Sequence, residues 1–473
     1  MRLVPLILAV ALFMENMDST VIATSLAAIA TDIGSDPIAL KLALTSYLVA
    51  LAIFIPISSW TADRFGARNV FRWAIVVFML GSVACAVSNS LPTFVASRFL
   101  QGMGGAMMTP VARLVLVRST ARSELVAAMA WLTIPGLIGP IAGPPVGGFL
   151  TTYLSWHWIF LINIPIGIIG IALVTKFLPE FKRNAPRAMD FPGFVLAGTA
   201  FAGWVFGVSV LTLPALPAIY GIVTLVAGTV AAAIYIWHAL RTEHPVLDLR
   251  LLRFPFFRTS VVAGTFFRLG VGGTPFLFPL MLQLIFGLSP FQSGMVTFAG
   301  AVGALAAKFA AEWILEVFGF RISLVWATFV TALGIFAQGI YDQHTPSALI
   351  ISILIVTGFF QSIFWTGSNA FTFADIDDKD SGGANVISQV LVQISLAFGV
   401  ALAGGILEGS TMLRGETDPT LLDFHIAFWV IGAVVLVSTV MFFRLPHHAG
   451  SNISGHGLPK TTETGDEPLA HGK

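Results

Sequence analysis

Long apolar stretches separated by short polar segments run through nearly the whole chain. Each stretch holds about 20 or more residues, which is enough for a helix to cross the hydrocarbon core of a bilayer. The fourteen stretches are residues 3–30, 38–62, 70–88, 92–117, 124–150, 156–178, 190–212, 216–240, 257–286, 291–315, 321–340, 347–373, 384–410 and 422–444. They predict an all-α, polytopic membrane protein with 14 transmembrane helices. Residues 446–473 are polar and rich in Gly, His, Thr and Pro, which predicts a disordered tail.

The basic residues between these stretches alternate from loop to loop. The even-numbered loops contain Arg64, Arg68, Arg72, Arg118, Arg122, Lys176, Lys182, Arg183, Arg187, Arg241, Arg250, Arg253, Arg258, Arg321 and Lys379. The odd-numbered loops contain a single basic residue, Arg414. Because basic loops stay in the cytoplasm during insertion, the alternation predicts that both termini and the tail are cytoplasmic. The inner (plasma) membrane of a bacterium is the expected location.

A short charged segment between the second and third spans recurs between the tenth and eleventh. The two copies share one spacing and lie 253 residues apart: Trp60, Asp63, Phe65, Gly66 and Arg68, then Trp313, Glu316, Phe318, Gly319 and Arg321. We call residues 60–68 the first hinge and residues 313–321 the second hinge. Membrane transporters are often built from related halves with the substrate site between them. The repeat predicts two six-helix bundles, 1–178 and 257–445, separated by two inserted helices and cytoplasmic linkers at 179–256.

Composition excludes several classes of function. Apolar residues make up 56% of the chain and charged residues 10%, against about 25% charged in a typical soluble domain. A net charge of +1 gives no electrostatic basis for binding nucleic acid. The sequence has no G-x-x-x-x-G-K-[ST] loop, metal-ligand cluster or nucleophile triad. We therefore expect no ATPase or other enzyme, and neither a cofactor nor a metal.

Five segments resemble the motifs of one transporter family. They are residues 17–21 in span one, 62–68 in the first hinge, 98–102 in span four, 139–145 in span five and 156–165 at the start of span six. Together they resemble the major facilitator superfamily, specifically its fourteen-span drug:proton antiporter branch, and most closely the bacterial MdtD-like multidrug-resistance proteins. Ser59 and Thr61 stand where the family has Gly and Leu. The resemblance implies the major facilitator fold for nearly the whole chain except the tail.

The resemblance also implies roles for two sets of residues. A cytoplasmic gate at the hinges would comprise Asp63, Arg64, Gly66, Arg68, Glu316, Gly319 and Arg321. Asp63 could pair with Arg68 or with a basic residue of a neighbouring helix; alternatively, the arginines merely hold the loop in the cytoplasm. The antiporter motif of span five would comprise Gly139, Pro140, Gly143 and Pro144. Its small residues and kinks allow close helix packing, which in the family seals the cavity against leaks.

Two carboxylates lie inside span one. Glu15 and Asp18 are three residues apart and are therefore neighbours on one helix face. A carboxylate within a membrane usually faces a cavity or a partner, and desolvation favours its protonated form. Arg98 could stabilise an ionised carboxylate or act with Gln101, one turn away. We expect Asp18, Glu15 and Arg98 to couple transport to protons; for Asp18 the alternative is a hydrogen bond that only packs helices.

A substrate cavity with an apolar wall and a few polar contacts is expected between the bundles. Arg268 follows Glu15 by the 253 residues that separate the hinges, so these two residues could present opposite charges to the cavity. Lys308 and Glu312 in span ten are four residues apart and could neutralise each other. The residues expected in the cavity are Gln101, Arg268, Phe13, Trp131, Phe267, Phe276, Gln283, Gln361, Trp365 and Asn369.

These expectations combine into a proton-coupled antiporter that exports small molecules, such as drugs, by alternating access. The bundles would rock so that the cavity opens to one side at a time. One alternative keeps this mechanism but exports a metabolite or an anionic chelate such as an organic-acid complex, which Arg98 and Arg268 would suit. A second alternative is a membrane sensor or scaffold that does not transport. We expect a monomer whose partners are its substrate, protons and lipid.

Overall fold

The computed structural model describes residues 3–120, 124–180, 188–211, 213, 217–377, 380–446 and 449–450. The predicted tail, apart from 446 and 449–450, lies outside these residues. So do some of the basic loop residues, namely Arg122, Lys182, Arg183, Arg187 and Lys379. Regular structure within the described ranges is helical, and they contain no strand.

The described residues form sixteen α-helices, numbered here in chain order. They are α1 (Leu3–Val21), α2 (Leu26–Asp32), α3 (Lys41–Phe54), α4 (Ser58–Phe65), α5 (Ala67–Ala86), α6 (Leu91–Ser119), α7 (Leu125–Tyr153), α8 (Trp158–Leu161), α9 (Asn163–Phe177), α10 (Phe191–Leu211), α11 (Ala218–Arg241), α12 (Pro255–Leu284), α13 (Pro290–Gln338), α14 (Ser347–Phe371), α15 (Ser381–Leu413) and α16 (Leu421–Phe443). Short 3₁₀ turns, Ile22–Thr24 and Ile55–Ile57, join α1 to α2 and α3 to α4 within single predicted spans. A further 3₁₀ turn, Leu249–Arg253, precedes α12.

Twelve helical segments of the described chain are long and apolar enough to cross a membrane. One of them is α13, whose 49 residues are divided by a kink at Gly319, where φ is 71° and ψ is 170°. The 29-residue helix α7, which contains four prolines, matches the fifth predicted span. Counting α13 as two and adding α7, the helices match the fourteen predicted spans. The prediction of an all-α, fourteen-span membrane protein is confirmed.

The helices pack as two bundles with an inserted pair. In the first bundle α1 packs on α7, and α6 packs on α3 and α5. In the second bundle α12 packs on α15 and α16, and α13 packs on α14 and α16. The inserted helices α10 and α11 pack on each other, and Gly203 and Gly228 let their backbones approach closely. Helix α10 also contacts α3 of one bundle and α15 of the other.

The two hinges adopt the same local geometry. The rings of Trp60 and Phe65 meet edge to face, with centroids 6.2 Å apart and an interplanar angle of 85°. Those of Trp313 and Phe318 do the same at 6.1 Å and 89°. A glycine follows the ring pair in each hinge. Gly66 has a φ of 88° and Gly319 a φ of 71°, and both values lie in the left-handed region of backbone conformation that favours glycine. The repeat in the sequence is therefore also a repeat in the structure.

The last arginine of each hinge contacts the last helix of its own bundle. The Arg68 guanidinium donates to the carbonyl of Thr175, near the C-terminal end of α9. The Arg321 guanidinium donates from Nε and Nη2 to the carbonyl of Phe443, the last residue of α16, at 3.1 and 2.9 Å. Carbonyls at a helix C-terminus lack partners within the helix and attract cations. We call the end of the molecule that carries both hinges the hinge side, and the opposite end the far side.

Replacing Gly319 by Ala is expected to destabilise the protein by about 1–3 kcal/mol, because an L side chain is strained at this positive φ. Thermal unfolding of the detergent-purified protein measures the effect. Gly382→Ala is the matched control, since Gly382 lies in α15 with no atom within 4 Å of an added Cβ. Equal melting temperatures for the two variants would contradict the prediction.

Candidate functional site

A central cavity of about 480 Å³ lies between the two bundles. Its wall draws on α1, α3, α6 and α7 of the first bundle and on α12, α13, α14 and α15 of the second. A second cavity of about 260 Å³ shares Glu15, Asn16 and Gln393 with the first. Its wall also includes Arg113 and Gln389, which lie nearer the hinge side on α6 and α15. The two cavities together therefore extend from the centre of the molecule toward the hinge side.

A buried polar cluster adjoins the central cavity inside the first bundle. Arg98 Nη1 lies 2.7 Å from Asp18 Oδ2 and donates to Gln101 Oε1 at 2.5 Å. The amide groups of Gln101 and Asn163 donate to Asp18 Oδ1 at 2.8 and 2.9 Å. The Arg98 guanidinium also stacks over the ring of Tyr47, 4.3 Å from its centroid. Asp18 thus has three donors, and the expected contact between Asp18 and Arg98 is present.

Sequence reasoning missed two members of this cluster. Asn163 is the first residue of α9 and is fully buried, and Ser82 on α5 accepts hydrogen bonds from both Gln101 and Asn163. Asn163 lies in one of the family-like segments, but no role was assigned to it. The sequence does hold one indication of their role, because a polar side chain in an apolar span usually has a partner inside the protein.

Glu15 and Asp18 have different surroundings although they share a helix. Asp18 points into the first bundle and is 1% exposed. Glu15 lines both cavities and accepts a hydrogen bond from Thr109 Oγ1 at 2.9 Å. None of the ion pairs between described residues includes Glu15, although Arg113 lines the smaller cavity with it. Asp18 is therefore a buried partner of Arg98, whereas the Glu15 carboxyl is open to the cavities.

Two of the ten residues expected in the substrate cavity line it, namely Phe276 and Gln361. The others have different positions among the described residues: Gln101 belongs to the polar cluster, and Phe267 stacks on Phe364 with centroids 3.6 Å apart. Gln283 donates to the carbonyl of Thr24 at 3.0 Å. Phe13, Trp131 and Trp365 are half-buried on α1, α7 and α14 but do not line the cavity, and Asn369 is exposed.

Arg268 does not meet Glu15. It is 1% exposed, lies 5.4 Å from the centroid of the Trp365 ring and is not among the residues that line either cavity. The expected pairing of Lys308 with Glu312 is also wrong, because Lys308 Nζ donates to Thr366 Oγ1 at 3.0 Å and no ion pair of the described residues joins it to Glu312. The 253-residue offset that relates Arg268 to Glu15 therefore does not bring their charges together.

The antiporter motif packs α7 directly against α1. A Cβ on Gly139 would lie 2.9 Å from the backbone of Phe13 and Met17, and one on Gly143 would lie 2.0 Å from Thr20 Oγ1. Pro140 and Pro144 line the central cavity. The glycines thus let the two helices touch while the prolines form part of the cavity wall.

The first hinge contains an ion pair on the hinge side. Arg118 Nη2 of α6 lies 2.7 Å from Asp63 Oδ1 of α4, so Asp63 pairs with a neighbouring helix rather than with Arg68. Arg64 is exposed, and in the second hinge Val317 takes its place. Elsewhere in the described chain, no group of three or more His, Cys, Asp or Glu side chains is arranged to hold a metal ion.

Comparison with known proteins identifies the family. A model described as the Major Facilitator Superfamily matches residues 8–244 and 260–468. A multidrug resistance protein MdtD from Cronobacter sakazakii is 34% identical over 456 residues, covering 94% of this chain and 95% of that protein. The MdtD protein of Serratia proteamaculans is 34% identical over 463 residues, covering 97% and 96%. The chain belongs to the Major Facilitator Superfamily, which confirms the resemblance seen in the sequence.

Solved structures of distant transporters share the fold. A D-xylose-proton symporter superposes with a TM-score of 0.67 at 14% identity, covering 94% of this chain and 98% of that one. An auto-inhibited peptide transporter of the POT family gives a TM-score of 0.67 at 15% identity, covering 93% and 96%. At these identities the likeness concerns the fold alone. Together with the family assignment, it makes the protein a membrane transporter rather than an enzyme.

Removing the Arg98 guanidinium by Arg98→Met is expected to cost about 3–5 kcal/mol, because Asp18 is left buried without its counter-charge. Adding Asp18→Asn is expected to recover part of that loss. Thermal unfolding of the two single variants and the double variant in detergent measures the coupling. Additive losses would contradict the interdependence of the two side chains.

Proposed function

We propose that this member of the Major Facilitator Superfamily is a proton-coupled antiporter that exports small molecules across a bacterial inner membrane. Its termini are cytoplasmic in this proposal, so the hinge side is the cytoplasmic side and the far side the external side. The position of Glu15 is the observation that carries the proposal. It is a carboxyl on the wall shared by both cavities, and no ion pair of the described residues includes it.

Glu15 is the group that exchanges the proton in this mechanism. It faces the space that a substrate would enter, and a carboxyl there can be protonated or ionised as the cavity opens to one side or the other. Asp18 supports the mechanism differently, since its oxygens accept from Arg98, Gln101 and Asn163. The Asp18 cluster positions α1, and Glu15 one turn away alternates between proton and substrate.

The charges of the cavity favour a lipophilic cation or a neutral amphiphile as substrate. Glu15 and Arg98 are the charged residues that line the central cavity, and Arg98 is paired with Asp18. The rest of the wall is largely apolar, which suits the broad recognition suggested by the multidrug names of the relatives. The binding wall therefore has an excess acid, which would attract a cation and compete with a proton.

A second candidate substrate is an anionic metabolite or chelate. One observation favours it, namely that Arg113 lines the smaller cavity, where it could meet an anion entering from the hinge side. Uptake of ethidium and of ferric citrate into proteoliposomes, measured side by side, distinguishes the two substrate classes. Transport of ferric citrate alone would overturn the cation assignment.

Glu15→Gln is expected to abolish ethidium uptake driven by an imposed pH gradient in proteoliposomes. Exchange of ethidium without a gradient should be weakened but retained, because the cavity keeps its apolar wall and loses the carboxylate that holds the proton or the cation. Glu312→Gln is the control, since Glu312 is an exposed acid of α13 outside both cavities. Undiminished gradient-driven uptake by Glu15→Gln would exclude Glu15 as the coupling group.

A further inference from the structure

A buried ion pair connects the two bundles on the far side. Lys41 Nζ lies 2.7 Å from Glu408 Oε2, and the side chains are 0% and 7% exposed. Lys41 is the first residue of α3 in the first bundle, and Glu408 lies less than two turns from the far-side end of α15 in the second bundle. The contact therefore spans the interface that must separate if the cavity is to open on this side.

The Lys41 side chain reaches the second bundle beside a residue of the cavity wall. A Cβ on Gly404 would lie 2.5 Å from Lys41 Cδ and 3.2 Å from a ring carbon of Phe276. Phe276 lines the cavity, and Gly404 lies one turn before Glu408 on α15. The absence of a side chain at Gly404 thus makes room for Lys41, and the ion pair lies on the far side of Phe276, which lines the cavity.

The other described contacts between the bundles on this side are neutral. Gln283 donates to the carbonyl of Thr24 at 3.0 Å, and the amide of Phe291 donates to Thr152 Oγ1 at 3.0 Å. Helix α7 also packs closely on the start of α13, where Gly148 lies against the backbone of Pro290. The ion pair differs from these contacts because losing one partner leaves the other charge buried and unpaired.

We propose that the Lys41–Glu408 pair is the far-side gate and that Glu408 is a proton-binding group distinct from Glu15. A proton from the far-side solution adds to the Glu408 carboxylate, the attraction to the Lys41 ammonium is lost, and the bundles separate there. Asp36, in the segment before α3, is the other charged group that acts on both residues, and it remains to balance Lys41. The gate then opens toward a compartment rich in protons.

The gate proposal rests on alternating access and on neither the substrate nor Glu15. It can therefore fail while the proposed function stands, and the reverse also holds. The test uses the accessibility of a cysteine placed below the gate, without any transported compound. Leu44→Cys is the reporter, because Leu44 lies one turn below Lys41 and lines the central cavity. The background is Cys85→Ala, which removes the buried native thiol.

A membrane-impermeant maleimide is added from the far side, and the labelling rate of the reporter is divided by that of Leu413→Cys. Leu413 is 91% exposed at the far-side end of α15, so the ratio removes the intrinsic effect of pH on thiol reactivity. With the gate intact, the ratio is expected to rise as the far-side pH falls from about 7.5 to about 5.5. A ratio that does not change with pH would overturn the role of Glu408 as a proton-binding group.

Glu408→Gln is expected to raise the ratio several-fold at neutral pH and to remove its pH dependence. Glu416→Gln is the matched control, an exposed acid beyond the same helix, and should behave like the parent. Lys41→Gln should also raise the ratio, and each variant is used only if it elutes as a single species in detergent. Equal ratios for Glu408→Gln and Glu416→Gln, or a persisting pH response in Glu408→Gln, would overturn the gate.

Discussion

The contact between Asp18 and Arg98 is the interaction on which the arrangement of the first bundle depends. Hydrocarbon cannot solvate either charge, so each must find its partner inside the protein. The hydrogen bonds of Asp18 to Arg98, Gln101 and Asn163 join α1, α6 and α9 at one buried site. With α1 held in this way, Glu15 one turn away faces the cavity. The position of the cavity acid thus follows from the burial of another acid on the same helix.

The two bundles share their hinges but differ at their centres. Both hinges have an edge-to-face ring pair and a glycine with a positive φ. In both, an arginine also donates a hydrogen bond to the last helix of its bundle. At the centre, the first bundle has the Asp18 cluster, whereas Arg268 of the second bundle packs against the Trp365 ring. The hinge turns of the two halves are therefore alike, whereas the buried side chains at their centres differ.

The sequence predicted the spans and both hinges because apolar length and glycine–arginine spacing are local properties. It did not predict the cavity wall, because spans that are apolar all round carry little signal about which face turns inward. Phe267 and Phe276 both lie on α12, yet one stacks on Phe364 and the other lines the cavity. Nothing in the sequence around Lys41 indicates a buried ion pair, because its partner Glu408 lies 367 positions away. Contacts between distant helices supplied what local patterns could not.

The position of the inserted pair has a consequence for how a lipid-soluble molecule reaches the cavity. The bundles meet along two seams, α3 against α15 and α7 against α13. Helix α10 lies across the first seam, where Val205 joins Val49 of α3 and Ala397 of α15 in one apolar cluster. The second seam is formed by α7 and α13 themselves. A molecule dissolved in the bilayer would therefore meet the inserted pair at one seam and the bundles' own helices at the other, so the two flanks of an otherwise two-fold architecture are unequal to the surrounding lipid.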